Sequence, residues 1–358
     1  MNFLMDAAPK MVFAFWLGIV VVILTVLMLS IILIMRQVML RRERNHQRAV
    51  VTWQQTLSAA DSGTLHGEPP PLPARDVSGF LEVWNNLHAT HSDGIAPELL
   101  AVANSVGLER HLFRVLQHGG FHNLVVGIIA LGNLRNPAHF GRVACFLDDK
   151  SPLVSLCAAR ALMQMDQANA VSMFVPQIVR RGDWSQGNIA AILHETSTPQ
   201  MARELSRATL QANAEVAPRL VRFLAAVSPD EAAPVIRTIL ASDAEADDHL
   251  VSTCLQVMTD PDDLSCVRPL LQHPRWHVRM QAAATLGRLG VPGDDDLLVD
   301  MLSDEQWWVR YRTAQGLMKL PFVGASKVRS IRNDHADHFA RDILDHVLAE
   351  RTLEGAHG

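Results

Sequence analysis

Cysteine is scarce here and shows no pairing pattern. Cys145, Cys157, Cys254 and Cys266 stand far apart, with no CxxC and no spacing of an extracellular disulfide framework. A disulfide-stapled domain is excluded, and reduced, partly buried thiols are expected. Tyrosine occurs once, at Tyr311, a bias that has no evident physical reason. An excess of positive charge is also missing: 32 Lys and Arg stand against 37 Asp and Glu, with 16 His. Nucleic-acid-binding domains are net basic, so no nucleic acid is expected as a partner. GxSxG, P-loop, HExxH and dinucleotide fingerprints are absent, as is any DxDxDG calcium loop. No catalytic residue, metal or cofactor is therefore assigned, and the chain is not expected to be an enzyme.

Long apolar runs are limited to one. Residues 11–35 carry no formal charge and are almost all aliphatic or aromatic. As a helix this run is about 37 Å long, enough to cross a hydrocarbon core of roughly 30 Å with some tilt. It exceeds the usual core of a signal peptide, and no small-x-small cleavage site follows, so an anchor is expected rather than a cleaved leader. Lys10 alone precedes it, whereas Arg36, Arg41, Arg42, Arg44 and Arg48 follow. The positive-inside rule then puts residues 1–10 outside a bacterial-type inner membrane and the rest in the cytoplasm. Arg41, Arg42 and Arg44 are candidates for contact with anionic lipid headgroups. Residues 36–60 are polar but compatible with a juxtamembrane helix that prolongs the span. Residues 61–76 contain Gly63, Gly67, Pro69, Pro70, Pro71 and Pro73; they are expected to form a semi-rigid spacer that sets the folded part off the bilayer.

Beyond the spacer the chain is periodic. Leu131, Leu162, Leu193, Leu224, Leu255, Leu286 and Leu317 stand on an unbroken 31-residue lattice, and a period in this range means a repeat array. Residues three before and three after each leucine are small or apolar, which places them on one helix face. A second apolar set follows at plus 12, 15 and 16, as in Val143, Phe146 and Leu147 or Leu298, Met301 and Leu302. Each unit is thus a helix pair. Pro137, Pro199, Pro261 and Pro292 fall six residues after a lattice leucine, where a proline fits a first helical turn. Asn136, Ser228 and Asp260 stand where N-caps are needed. The fold class is all-α: a transmembrane helix followed by an α-solenoid of about seven helix pairs. The array occupies 121–330, a helical cap or degenerate repeat 77–120, and a closing helix with a tail 331–358. Phe339, Ile343, Leu344, Val347 and Leu348 are expected on the apolar face of that closing helix.

Two units share a fuller pattern. Trp276-His277-Val278-Arg279 precedes Ala282-Ala283-Ala284 and Leu286, and Trp307-Trp308-Val309-Arg310 precedes Ala314 and Leu317. These residues resemble the short HEAT-like repeat, including the type found in phycobilin lyases, over roughly residues 121–321, although most repeats lack the Val-Arg pair. The resemblance implies fold far more than activity, because such surfaces are recruited for unrelated tasks. It also implies that Arg279 and Arg310 are structural, bonding an inter-repeat aspartate or carbonyl, with Asp304 well placed. HEAT hydroxylases hold iron with several His-Glu pairs. This chain has one, His194-Glu195, which does not make such a centre.

Other chemistry-bearing residues have structural readings. His335, His338, Asp342 and His346 line one helix face and cannot wrap a single ion; they read as its solvated side. Asp148-Asp149, Asp247-Asp248, Asp260 with Asp262-Asp263, and Asp294-Asp295-Asp296 fall mostly at repeat turns, where aspartate caps helix N-termini. The remaining candidates are for binding. Arg203, Arg207, Arg237 and Arg268 lie on successive second helices, which in a HEAT-like array line the concave face, and offer a basic ridge for an acidic partner. Trp184, Trp276, Trp307 and Trp308, with Arg180 and Arg181, offer an exposed aromatic patch, the alternative being that at least two of these tryptophans pack between repeats. The expected function is a membrane-anchored, non-catalytic scaffold that docks a cytosolic or membrane-bound protein. Alternatives are an accessory subunit of a membrane synthase or secretion complex, a lyase-like HEAT enzyme, and a nucleic-acid binder.

Overall fold

The computed structural model describes residues 7–65, 67–90, 96–241 and 247–357; residues 1–6 of the expected N-terminal segment lie outside them. Among the described residues the chain is helical, with no strand. The helices divide between two compact units, 1–165 and 166–358.

In the first unit, α1 (Ala7–Asp61) is one unbroken helix of 55 residues, about 80 Å long. Its apolar part is bare from Trp16 to Met35 and is long and apolar enough to cross a membrane. Past Arg44 the helix changes character. Ala49, Trp53, Leu57 and Ala60 recur every three or four residues and are all buried, because α2 (Val77–Thr90) and α3 (Pro97–Ser105) pack against this face. The helix ends at Gly63, whose φ of 67° is left-handed. Gly63 N–H donates to Ala60 O and Thr64 N–H to Ala59 O, a Schellman stop.

The proline-rich segment corrects an expectation. Its prolines exclude helix, but it does not hold the folded part away from α1. Leu72 is buried, and the segment closes a hairpin that brings α2 back along α1. Trp53 meets Phe80 edge-on at 4.8 Å, and Phe80 stacks on Trp84 at 6.0 Å. A Cβ at Gly79 would stand 2.8 Å from Ala49 Cβ and 3.1 Å from Val50 N, so only glycine permits this approach. The C-terminal part of α1, residues 49–60, is therefore part of a folded core. The unit continues with α4 (Leu108–His118), α5 (Phe121–Asn133), α6 (Phe140–Ala144) and α7 (Pro152–Met165).

The second unit contains α8 (Gln167–Arg180), α9 (Gln186–Glu195), α10 (Pro199–Gln211), α11 (Ala217–Val227), α12 (Pro229–Ala241), α13 (Asp248–Val257), α14 (Leu264–Val267), α15 (Trp276–Leu289), α16 (Asp294–Met301), α17 (Trp307–Lys319), α18 (Ala325–Asp334) and α19 (His338–His357). The seven lattice leucines lie on α5, α7, α9, α11, α13, α15 and α17, and none is more than 2% exposed. Each such helix is followed in the chain by a second: α6, α8, α10, α12, α14, α16 and α18. Asn136 and Asp260 cap the short turns after them, accepting from Ala138 N and Asp262 N; Ser228 Oγ accepts from Glu231 N. Small residues set the spacing between first helices. A Cβ on Gly287 of α15 would lie 2.2 Å from Gly316 Cα of α17. In α19 Ala340, Ile343, Leu344 and Val347 are buried, but Phe339 is 64% exposed. The apolar face is thus rotated from the one expected, with Ala340 occupying the inner position.

Candidate docking surfaces

Aspartates at the start of one repeat hold arginines of the repeat before it. On the first helices, Arg279 Nε and Nη2 donate to both oxygens of Asp304 at 2.7 and 2.9 Å, and Arg310 Nη1 donates to Asp337 at 2.7 Å. Arg279 also donates to His273 O, and Arg310 to Asp304 O. A second series runs through the second helices, where Arg237 donates to Asp263 at 2.7 Å and Arg268 to Asp294 at 2.7 Å. Asp263 and Asp294 are each 3% exposed. Donating hydrogen bonds to these aspartates raises the guanidinium pKa of Arg237, Arg268 and Arg279. The planar guanidinium suits such forked contacts.

The basic ridge is therefore not an open row of charge. Arg237 and Arg268 neutralise buried carboxylates, and Arg207 bonds Glu204 one turn away at 3.1 Å. Only Arg203, exposed on α10, makes no ion pair among the described residues. The sequence hid this because aspartates that cap a turn look complete in themselves. Their distance of 26 residues from the arginines, seen twice, was the signal available.

The tryptophans separate into two groups. Trp184 is not a surface aromatic: it is 2% exposed and stacks on Phe174 at 5.9 Å, with Arg181 5.7 Å from its ring. Arg181 forks onto Asp183 and Arg180 reaches Gln177, so these side chains fasten the end of α8. By contrast, Trp276, Trp307 and Trp308 are 39%, 48% and 54% exposed. They open α15 and α17, and exposed Phe339 stands 31 residues beyond Trp308 near the start of α19. Trp307 and Trp308 meet at 4.7 Å and 84°, and Tyr311 stacks on Trp307 at 5.1 Å. The Tyr311 hydroxyl contacts both Glu350 oxygens at 3.0 and 3.1 Å. Burial, followed by this carboxylate, pushes the phenol pKa up. The structure thus supplies a setting for the lone tyrosine.

Other concave sites are modest. A cavity of about 470 Å³ in the first unit is lined by His46, Ser78, Glu82, Asn85, His122 and Asn123, among others. His46 bonds Glu82 at 2.8 Å and Ser78 at 3.2 Å, which ties α1 to α2. Among the described residues no three His, Cys, Asp or Glu side chains converge as metal ligands. His338 pairs with Asp342 and His346 with Glu350 along the outside of α19. Asp294 and Asp295 lie buried in the first turn of α16, and Lys327 holds Asp295. His194 and Glu195 end α9.

Residues 249–318, from α13 into α17, match the family model for HEAT repeats. These residues carry HEAT repeats. No curated protein matches the chain. The matched stretch includes Arg279, Asp304 and the exposed tryptophans, so the most regular HEAT units and the aromatic edge coincide. HEAT arrays are typically non-catalytic and have a protein-interaction potential that comes from their extended surfaces.

Proposed function

We propose that this protein is a membrane-anchored, non-catalytic HEAT platform that docks a protein partner in the cytoplasm. The observation that carries the reading is the outward aromatic edge of Trp276, Trp307, Trp308 and Phe339 on an array in which Arg237, Arg268, Arg279 and Arg310 are held by its own aspartates. Exposed tryptophan clusters mark interfaces, since each ring can bury a large area at little entropic cost. The bare apolar length of α1 supports an anchor, and the arginines after it support a cytoplasmic array. Arg41, Arg42 and Arg44 remain candidates for headgroup contact, but now on a helix whose continuation belongs to the folded unit.

Two measurements test this. The full-length protein, purified from its native membranes in mild detergent, is expected to retain a partner that the Trp307→Ala, Trp308→Ala double variant loses with its helicity unchanged; equal retention rejects the docking edge. The exposed Cys145 should react with a membrane-impermeant maleimide only after permeabilisation, and labelling of intact cells would place the array outside. A second reading makes the span itself part of an interface in a membrane complex. It is favoured by the unbroken run of α1 from apolar segment to docked core, and replacement of residues 11–35 by an unrelated span tests it.

A further inference from the structure

The aromatic edge contains a corner with a definite chemical preference. Trp307 and Trp308 stand almost perpendicular, and both are about half exposed. The arginines nearby are occupied: Arg310 lies 5.6 Å from the Phe339 ring and clasps Asp337, and Arg312 turns towards Gln315 at 3.1 Å. Among the described residues no cation covers either tryptophan. Tyr311 joins this corner to a carboxylate, with its ring 5.1 Å from Trp307 and 6.3 Å from Trp308 and its hydroxyl on Glu350. Glu350 is partly exposed, and its other neighbour is His346 at 3.2 Å. Indole faces carry negative potential, and so does the carboxylate. Two half-exposed indoles and, through the Tyr311 hydroxyl, a carboxylate therefore share this corner; Arg312 is close enough for its charge to act on the Tyr311 phenol, but its guanidinium turns to Gln315 and lies over neither indole.

We propose that Trp307, Trp308, Tyr311 and Glu350 form the seat for an arginine of the docked protein's binding segment. This rests on the docking reading above and adds the chemistry of the partner. Arginine fits better than lysine, because its planar guanidinium stacks on an indole while its N–H groups still face a carboxylate. An acidic segment, as the basic ridge implied, would meet Glu350 and be repelled.

The test uses the full-length protein in detergent micelles and a fluorescent ten-residue peptide with three arginines. Matched peptides carry citrulline or lysine in their place. Arginine is expected to bind about tenfold more tightly than citrulline, as one well-placed cation–π contact with a carboxylate can supply, and more tightly than lysine. Trp308→Ala and Glu350→Gln should each erase most of that preference, while Trp308→Phe, which keeps a π face, retains part of it. Equal binding of all three peptides, or a preference that survives in both Trp308→Ala and Glu350→Gln, overturns the proposal. If arginine preference is absent while partner retention still requires Trp307 and Trp308, the docking reading stands and the arginine seat alone falls. If partner retention is indifferent to the tryptophans, the docking edge falls with it.

Discussion

A side chain's neighbours decide whether its charge is available, and the four arginines of the supposed ridge differ in this respect. Arg237 lies beside a carboxylate that is almost wholly buried, so reversing its charge puts two anions 26 residues apart in sequence against each other. Arg203 has no such counterpart among the described residues. Arg237→Glu is therefore expected to lower the melting temperature of the protein by several degrees, whereas Arg203→Glu leaves it unchanged within about 1 °C. Thermal melts of both variants followed by circular dichroism check this, and equal melting temperatures would mean that the Asp263 contact contributes nothing. The same scale shows what the sequence made legible. Lattice leucines were readable because an apolar residue at a strict period has one physical role, and all seven are buried. The sequence left Trp184 undecided between core and surface, since an aromatic after Gly182 and Asp183 looks like a loop tip until Phe174 of α8 comes to meet it.

Elements behave differently from their isolated composition. Residues 36–60 have too many arginines and glutamines to read as a core helix, yet Ala49, Trp53, Leu57 and Ala60 make a narrow apolar stripe at helical spacing. That stripe was the available signal, and its small residues made it look weak. Small residues are what close approach needs: Ala49 sits opposite Gly79, and the wide contact falls to Trp53 against Phe80. Trp53 is 2% exposed, so Trp53→Ala should cost about 3–5 kcal/mol of stability in the first unit. Its consequence is local. The hairpin between α1 and α2 should open, and limited proteolysis should then cut within residues 61–76 at a rate well above that of the native protein. If cleavage there is as fast before the substitution as after it, the segment is a free spacer after all.

At the scale of the whole chain, the continuity of α1 changes what counts as a domain. A spacer at 61–76 would let everything after it fold alone, and the boundary would fall at residue 77. The buried stripe on α1 puts the boundary inside the helix instead, since α2 and α3 bury Phe80, Leu81, Trp84 and Leu99 in part against residues 49–60. The two divisions make opposite predictions for truncated chains. A chain that begins at residue 37 should be soluble and monomeric, and should melt like the full-length protein in detergent. One that begins at residue 77 loses the partner face of α2, leaves large aromatic side chains uncovered, and should aggregate or melt at a distinctly lower temperature. Size-exclusion chromatography and thermal melts compare them directly, and indistinguishable behaviour would return residues 36–60 to the role of a tether. The distinction also bears on function. Ala49 lies 13 residues past Arg36, so the docked core starts about 20 Å beyond the end of the apolar run along a continuous helix. On the proposed reading of the apolar run as a membrane anchor, this continuity would keep the first unit at a set height above the bilayer, which a flexible linker would not do.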